Sequence, residues 1–271
     1  MKIVFWSNVH GQVATTSNML AISITSVLHN NCKSFITQSQ YVLNNLEKPI
    51  IGSAAKQLEN QFSDIGVDSL SRYLKQGKLD NDIIEGCCIS LLNQKLNMLP
   101  GTRKKELFES DLLKIIPSII TASEQYHDFI FVDTNAGTKN EITNHLLEQA
   151  DLIVVNLNQN KMIIDDYFKN YHFDEAKTFY LIGNYNYRSR FNLNNLIHMY
   201  DAFDKTNLGA VPYNVGYQDA QSNGEVIPYF LRNFNCSKDD CNFYFMNTIK
   251  KSSDLLIKKA KTNEMKVRRV G

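Results

Sequence analysis

Asn8–Asn18 reads NVHGQVATTSN, and the fold turns on this stretch. It follows a short apolar run, Lys2–Trp6, and leads into a helical pattern carrying Met19, Leu20, Ile22, Ile24 and Leu28. A strand feeding a turn at a helix N-terminus aims orphan backbone N–H groups at one spot, and the helix dipole adds to their pull on an anion. That is the geometry of a phosphate-binding loop. A complete loop, GxxxxGK followed by Ser or Thr, uses glycines to curl the backbone, a lysine to neutralise the outer phosphates and a hydroxyl to ligate magnesium. Here Gly11 and the pair Thr15 and Thr16 are in place, but Ala14 stands at the lysine position and Val13 at a glycine position.

Outward from the loop, strand-like and helix-like patterns alternate. The strand-like runs are Ile3–Trp6, Ser34–Thr37, Leu96–Leu99, Phe129–Val132, Leu152–Asn156, Thr178–Ile182 and Leu208–Val211. Between them lie helical stretches at Asp68–Lys75, Asn81–Leu92, Glu106–Ser123, Asn140–Gln149, Met162–Asn170 and Leu193–Phe203, with a terminal one over Cys241–Lys261; Pro49–Ser63 reads as an irregular connection. Near-continuous apolar strands separated by helices predict an α/β fold, a single doubly wound, mainly parallel sheet covered on both faces. Ligands of such sheets sit at the carboxyl ends of the strands. A chain of 271 residues, 43% hydrophobic, has the material for that core. We expect one domain over residues 1–257 and a basic tail over 258–271.

A formal net charge of +1 gives no global field toward nucleic acid, so any such attraction needs a local patch. Neither a signal peptide nor a membrane-spanning run is evident, and the expected location is cytoplasmic. The cysteines Cys32, Cys87, Cys88, Cys236 and Cys241 are odd in number and irregularly spaced, which suits free thiols.

The strand ends add a second layer. FIFVDTNAG, Phe129–Gly137, is an apolar strand ending in Asp133 and a small-residue turn. An aspartate there holds a magnesium-bound water, ahead of a turn that senses a terminal phosphate; equally, Asp133 caps a helix beginning near Asn140. Asn184 ends another strand, where its amide suits the edge of an adenine ring or simply a turn.

Taken in order, these pieces resemble the ParA/MinD superfamily of deviant phosphate-binding-loop proteins. The family's KGGxGKTT falls on Val9 (the lysine that crosses a dimer), His10 and Gly11 (glycines), Gln12, Val13 (glycine), Ala14 (lysine) and Thr15 with Thr16. YHDFIFVDTNAG, Tyr126–Gly137, is similar to the family's YDxIIIDTPxG, Glu148–Asn160 to its ADxVIVVxxP strand, and Tyr180–Phe191 to its asparagine-bearing base-contact strand. Gly209–Asn233 is similar to its IPYDxxxxxAxxxGxPxxxY, and LNMLPGT, Leu96–Thr102, resembles the LxLLPG element of the TadZ/CpaE branch, whose members help to place Tad-type pili at a cell pole. The resemblance implies ATP and magnesium as cofactors. His10, Gly11, Gln12, Val13, Ala14, Thr15, Thr16, Asn184 and Pro212 would line the nucleotide, Thr15 and Asp133 would hold the metal, and Asp133 is the one catalytic candidate.

The departures matter as much. Where active members end the next strand in DxD, this chain has Thr37 and Ser39 in FITQSQ, Phe35–Gln40. With Val9 and Ala14, two cations and two carboxylates are gone, and loss of one well-placed cation costs roughly 1,000-fold or more in phosphoryl transfer. The expectation is weak or absent ATP binding and background hydrolysis, in a scaffold for a pilus or secretion system. An active ATPase with an unusual loop, and an adaptor that no longer binds nucleotide, are the alternatives. If the chain forms a homodimer, Val9 cannot reach across it, so nucleotide should contribute less than in the relatives. The segment Lys258–Gly271, KKAKTNEMKVRRVG, has six basic residues and one acid after Leu255, Leu256 and Ile257. It suits an anionic membrane surface, DNA phosphates or a solvated chain end.

Overall fold

The structure is a computed structural model and describes residues 1–39, 46–53, 65–77, 79–102 and 109–270, with side chains through Asn263 apart from residues 109–111. Gln40, residues 54–64 of the expected connection, residues 106–108 of an expected helix and Gly271 lie outside the described residues.

Each apolar run becomes a strand, and alternate residues on it face opposite ways. In β1 (Lys2–Trp6), Ile3 and Phe5 enter one core while Val4 and Trp6 enter the other. The same split holds in β2 (Ser34–Gln38), β5 (Phe129–Asp133), β6 (Leu152–Leu157), β7 (Thr178–Tyr185) and β8 (Leu208–Pro212). Burying such side chains contributes about 1.5–3 kcal/mol each, which is why strands apolar on both faces settle between two helix layers. With β3 (Ile89–Leu91) and β4 (Leu96–Met98) they form one eight-stranded sheet, ordered β3-β4-β2-β5-β1-β6-β7-β8. All neighbours are parallel except β3 with β4. The expected α/β doubly wound sheet is the fold observed.

One face carries α1 (Thr15–Asn30), α2 (Lys48–Ile51), α9 (Val215–Asn223), α10 (Val226–Asn233) and α11 (Phe243–Val270). The other carries α3 (Val67–Lys75), α4 (Asn81–Gly86), α5 (Glu109–Ser123), α6 (Glu141–Glu148), α7 (Lys161–Asn170) and α8 (Leu193–Met199). Asparagines start four of these helices: Asn140, Asn160, Asn192 and Asn214 each accept a backbone N–H at the N-cap. The β8 edge is closed by α11, where Ser252 Oγ accepts from the Ala210 N–H and donates to the Ala210 carbonyl, both at 2.8 Å. A side chain spent in this way leaves less backbone for another chain to pair with.

Several boundaries differ from the sequence expectation. The helix expected over Asn81–Leu92 stops at Gly86, and Ile89–Leu91 folds back on β4 through Leu92, Asn93 and Gln94, all at positive φ. The helix expected to run to Phe203 ends at Met199, because Tyr200 turns extended to bond Asp165 and stack on Phe168. Val215–Asn223 and Val226–Asn233 are helices that the pattern did not single out, and Lys48–Ile51 is a helical turn that overlaps the start of the expected irregular connection. The last helix runs past Lys261 to Val270, so residues from Lys258 onward continue it. Leu256, Ile257 and Ala260 are buried in the core, and Asn263 donates to the Ala176 carbonyl. The apolar triplet once available for a membrane surface is therefore occupied by the fold. Among the described residues no helix is long and apolar enough to cross a membrane.

Candidate functional site

The loop from Ser7 to Ala14 leaves the carboxyl end of β1 at the middle of the sheet and enters α1. Gly11 takes φ +71, which glycine does freely, but Ala14, the N-cap of α1, sits at φ +57, ψ +40 and has no side-chain cap. A non-glycine residue in that region is strained by about 1 kcal/mol and persists only where its surroundings hold it. The surroundings are neutral amides. Asn18 Nδ2 donates to the Val13 carbonyl at 2.9 Å and to Asn156 Oδ1 at 3.0 Å. Asn156, fully buried in β6, donates in turn to the carbonyls of Trp6 and Val154. Asn158 Nδ2 reaches the Gln12 carbonyl at 3.1 Å, Ser7 Oγ the Val9 carbonyl at 3.0 Å, and Asn8 Nδ2 bonds the Ile163 carbonyl and Asp166. Gly183 in β7 completes the brace, since a Cβ there would lie 2.4 Å from the Val13 carbonyl oxygen and 2.6 Å from Asn18 Nδ2. Side chains thus hold the carbonyls of Val9, Gln12 and Val13, which leaves fewer acceptors in the loop to oppose an anion.

Asp133, at the end of β5, is fully buried and accepts from Thr16 Oγ1 at 2.5 Å. The expected metal pair was Thr15 with Asp133; the structure instead brings Thr16 against the carboxylate. Adjacent helical residues diverge by about 100°, so one threonine faces β5 and its neighbour, half-buried, does not. The positions where carboxylates were missed are also settled. Thr37 Oγ1 donates to the Leu99 carbonyl at 3.4 Å, and Ser39 gives its N–H (2.9 Å) and hydroxyl (3.4 Å) to the Asp133 carbonyl. Among the described residues no group of three His, Cys, Asp or Glu side chains could hold a metal ion.

The turn after β5 is sewn to β1. Thr134 donates its N–H and hydroxyl to the Phe5 carbonyl, at 3.1 and 2.9 Å. Gly137 gives its N–H to the Ser7 carbonyl at 2.8 Å and takes the Trp6 indole N–H on its own carbonyl, also at 2.8 Å. Trp6 is held in turn by Tyr171 and Phe173, ring centroids 4.9 and 5.0 Å away. Both polar groups of this glycine are thus committed to the first strand and its loop.

On the far side, β7 bulges between Ile182 and Tyr185, and Asn184 sits exposed at φ +48 on that bulge. Asn184 is thus a bulge residue within the strand, and its side chain is open to solvent. Pro212 ends β8, buried and paired with Tyr185. Gln159 ties the two sides, bonding the Asn186 N–H and the carbonyls of Asn186 and Phe191. Arg188 and Arg190 lie over aromatic rings, at 5.5 Å from Tyr187 and 5.4 Å from Phe191. His10 is exposed, and Val9 packs half-buried against the core.

The expected residues from His10 to Thr16, Asp133, Asn184 and Pro212 all lie at the carboxyl ends of β1, β5, β7 and β8. Chemically, amides and the hydroxyls of Thr15 and Thr16 suit phosphate oxygens, and one carboxylate with those hydroxyls offers the hard oxygen donors magnesium takes. The residues fit such a group through dipoles and one negative charge, with alanine and valine where the resemblance asks for lysine. Sequence reasoning missed Trp6, Asn156, Asn158, Gln159 and Gly183. Only Asn156 carried a signal, an amide inside an otherwise apolar strand.

No family model and no curated protein matches the chain. Solved structures do. A ParA family ATPase from Chlorobium tepidum TLS matches with TM-score 0.68 and 10% identity over 93% of this chain and 98% of that one. The septum site-determining protein MinD of Pyrococcus horikoshii OT3, complexed with Mg-ADP, gives 0.63 and 15% over 97% and 99%. The MinC:MinD complex of Aquifex aeolicus gives 0.63 and 16% over 95% and 96%. At these identities the likeness shows the fold: a ParA/MinD-type α/β sheet.

Proposed function

We propose that this chain is a ParA/MinD-like spatial scaffold, of the TadZ/CpaE kind, that positions pilus or secretion machinery and hydrolyses little or no ATP. The observation that carries the reading is a phosphate loop held in shape by neutral amides, with Ala14 in the left-handed region and no lysine. Such a loop keeps the dipoles that bind an anion weakly and lacks the charge that stabilises a transferring phosphoryl group. Thr37 and Ser39, bonded to carbonyls, supply no carboxylate to orient a water. Asp133 with Thr15 and Thr16 would hold magnesium if a nucleotide enters, the metal then neutralising phosphate charge.

The partner assignment draws on LNMLPGT and on the fold's company. The Aquifex aeolicus structure is a MinC:MinD complex, and the Pyrococcus horikoshii protein determines a septum site. By this reading the chain works at the cytoplasmic face of the envelope, as a homodimer that leans less on nucleotide because Val9 packs into its own core. The basic end of α11 is its membrane-facing candidate.

A fluorescent fusion tests the role. Wild type, Asp133→Asn and Ala14→Lys should hold the same focus in cells. Dispersal of the Asp133→Asn fusion, with the protein still folded, would make nucleotide turnover part of positioning and reject the scaffold.

A further inference from the structure

At the end of the sheet away from the phosphate loop, the turn before β7, the turn before β8 and one side of α11 enclose a cavity of about 340 Å³. Ala176 comes from the first turn and Thr206 from the second. From α11 come Leu255, Lys258, Lys259, Thr262 and Asn263, spaced three and four apart so that they share one stripe of the helix. The adjoining stripe, Ser253, Leu256, Ile257 and Ala260, is buried in the core, and this fixes the direction in which the cavity stripe points. Side chains stitch the walls together. Lys259 Nζ donates to the Glu175 carbonyl at 3.0 Å and Asn263 Nδ2 to the Ala176 carbonyl at 2.7 Å. Across from them, Asp204 accepts from the N–H and hydroxyl of Thr206 and from the Asn207 N–H, so this acid is engaged by its own turn. Among the described residues the cavity lining holds two lysines and no carboxylate, and none of the ion pairs involves Lys258.

We propose that this cavity binds a small soluble phosphomonoester, its phosphate against Lys258 and Lys259 and its carbon part against Leu255 and Ala176. Ammonium groups bind phosphate as point charges, and a dianion answers two of them. The leucine, the alanine and the aliphatic stems of the lysines supply apolar wall for the rest of the molecule. The volume suits one small organic ligand and exceeds what a bare phosphate fills. A recess walled on both sides favours such a ligand over a bilayer surface. The site lies at the amino ends of β7 and β8, opposite the phosphate loop, so the inference does not rest on any reading of that loop.

The test is a calorimetric titration of the full chain with phenyl phosphate, inorganic phosphate and phenol, alongside flotation with phosphatidylglycerol vesicles. Phenyl phosphate should bind about tenfold more tightly than inorganic phosphate, because its ring covers apolar wall, and phenol should not bind at millimolar concentration. Lys258→Gln should weaken phenyl phosphate by about tenfold, the scale of one charge-assisted contact. Ala176→Glu, at an exposed position, brings a carboxylate to the cavity and should abolish binding. Both variants should unfold in urea as the wild type does. Four results would each overturn the proposal: no binding of phenyl phosphate at millimolar concentration; phenol binding as tightly as its phosphate; phenyl phosphate affinity unchanged in both variants, which would put the phosphate elsewhere, the loop included; and Lys258-dependent capture by vesicles with no binding of the soluble phosphates, which would give these lysines to a membrane.

Discussion

The two ends of the candidate site are built in opposite ways. At the phosphate end, polar side chains are tied to the fold: Asn8, Asn18, Asn156 and Asn158 brace the backbone, Trp6 and Ser7 hold Gly137, and Thr16 holds Asp133. At the other end the side chains face outward, with Tyr187, Tyr213 and Tyr244 exposed beside Arg188. The first end is cross-braced by hydrogen bonds and has no lysine in its loop, while the second is open and rich in exposed aromatic rings. The difference teaches that a loop's shape and its electrostatics are separable. Here neighbouring asparagines and one glycine hold the loop in shape with no lysine in it.

The comparison breaks most directly at Gly183. Any Cβ there must push aside the Val13 carbonyl or Asn18, so Gly183→Ala should cost roughly 2–4 kcal/mol, read from urea unfolding. A cost near zero would show that β7 does not brace the loop. Next is Trp6→Phe, which removes the donor to the Gly137 carbonyl and should cost about 1–3 kcal/mol. Trp6 is the chain's only tryptophan, so its fluorescence reports on this turn, and adding Mg-ATP should leave the wild-type emission unmoved. A clear change on nucleotide addition would mean that the turn is a working switch. A smaller effect sharpens the contrast: Ala14→Lys should tighten ATP by about tenfold, or about 1.4 kcal/mol, with AMP unchanged and no turnover gained. Equal tightening of AMP would place its phosphate, and not the outer ones, at Ala14.

The smallest effect lies far from both ends and serves as a control. His127 is buried, with Nδ1 3.0 Å from the Ser123 carbonyl and Nε2 3.0 Å from the Asn97 amide. A carbonyl can only accept, so Nδ1 donates and Nε2 accepts from Asn97, which describes a neutral ring. Burial holds its pKa below the usual 6.5. The unfolded ring then gains its proton at a higher pH than the folded one, so this stabilisation is complete above pH 6.5 and is lost as pH falls below it. His127→Gln should flatten the decline in unfolding midpoint below that pH while leaving nucleotide titrations unchanged. An equal decline in the variant would assign the acid sensitivity elsewhere.

Much of the fold was legible because the strands at the heart of the sheet are apolar on both faces, so runs such as FIFV and LIVV announce themselves without knowledge of their partners. Ile89–Leu91 was not legible, since its strand form depends on pairing with Leu96–Met98 across three residues of positive φ, and that pairing is tertiary. The last helix was read short for a related reason. Its basic residues look like a tail in one dimension, but Ala260 and Asn263 tie it to the core and to Ala176. In the site, Gly11, Thr16 and Asp133 were readable from motif spacing. The brace was not, because Asn156, Asn158 and Gly183 act on the loop from about 140 to 170 residues away, and nothing local marks that reach.

Phosphate release from Mg-ATP under single-turnover conditions tests the central claim most directly, comparing wild type with Asp133→Asn. The account predicts background release from both, because Ala14 and Val9 stand where the resemblance asks for lysines, and Thr37 and Ser39 where it asks for carboxylates. Release from the wild type above background that is abolished by Asp133→Asn would contradict it.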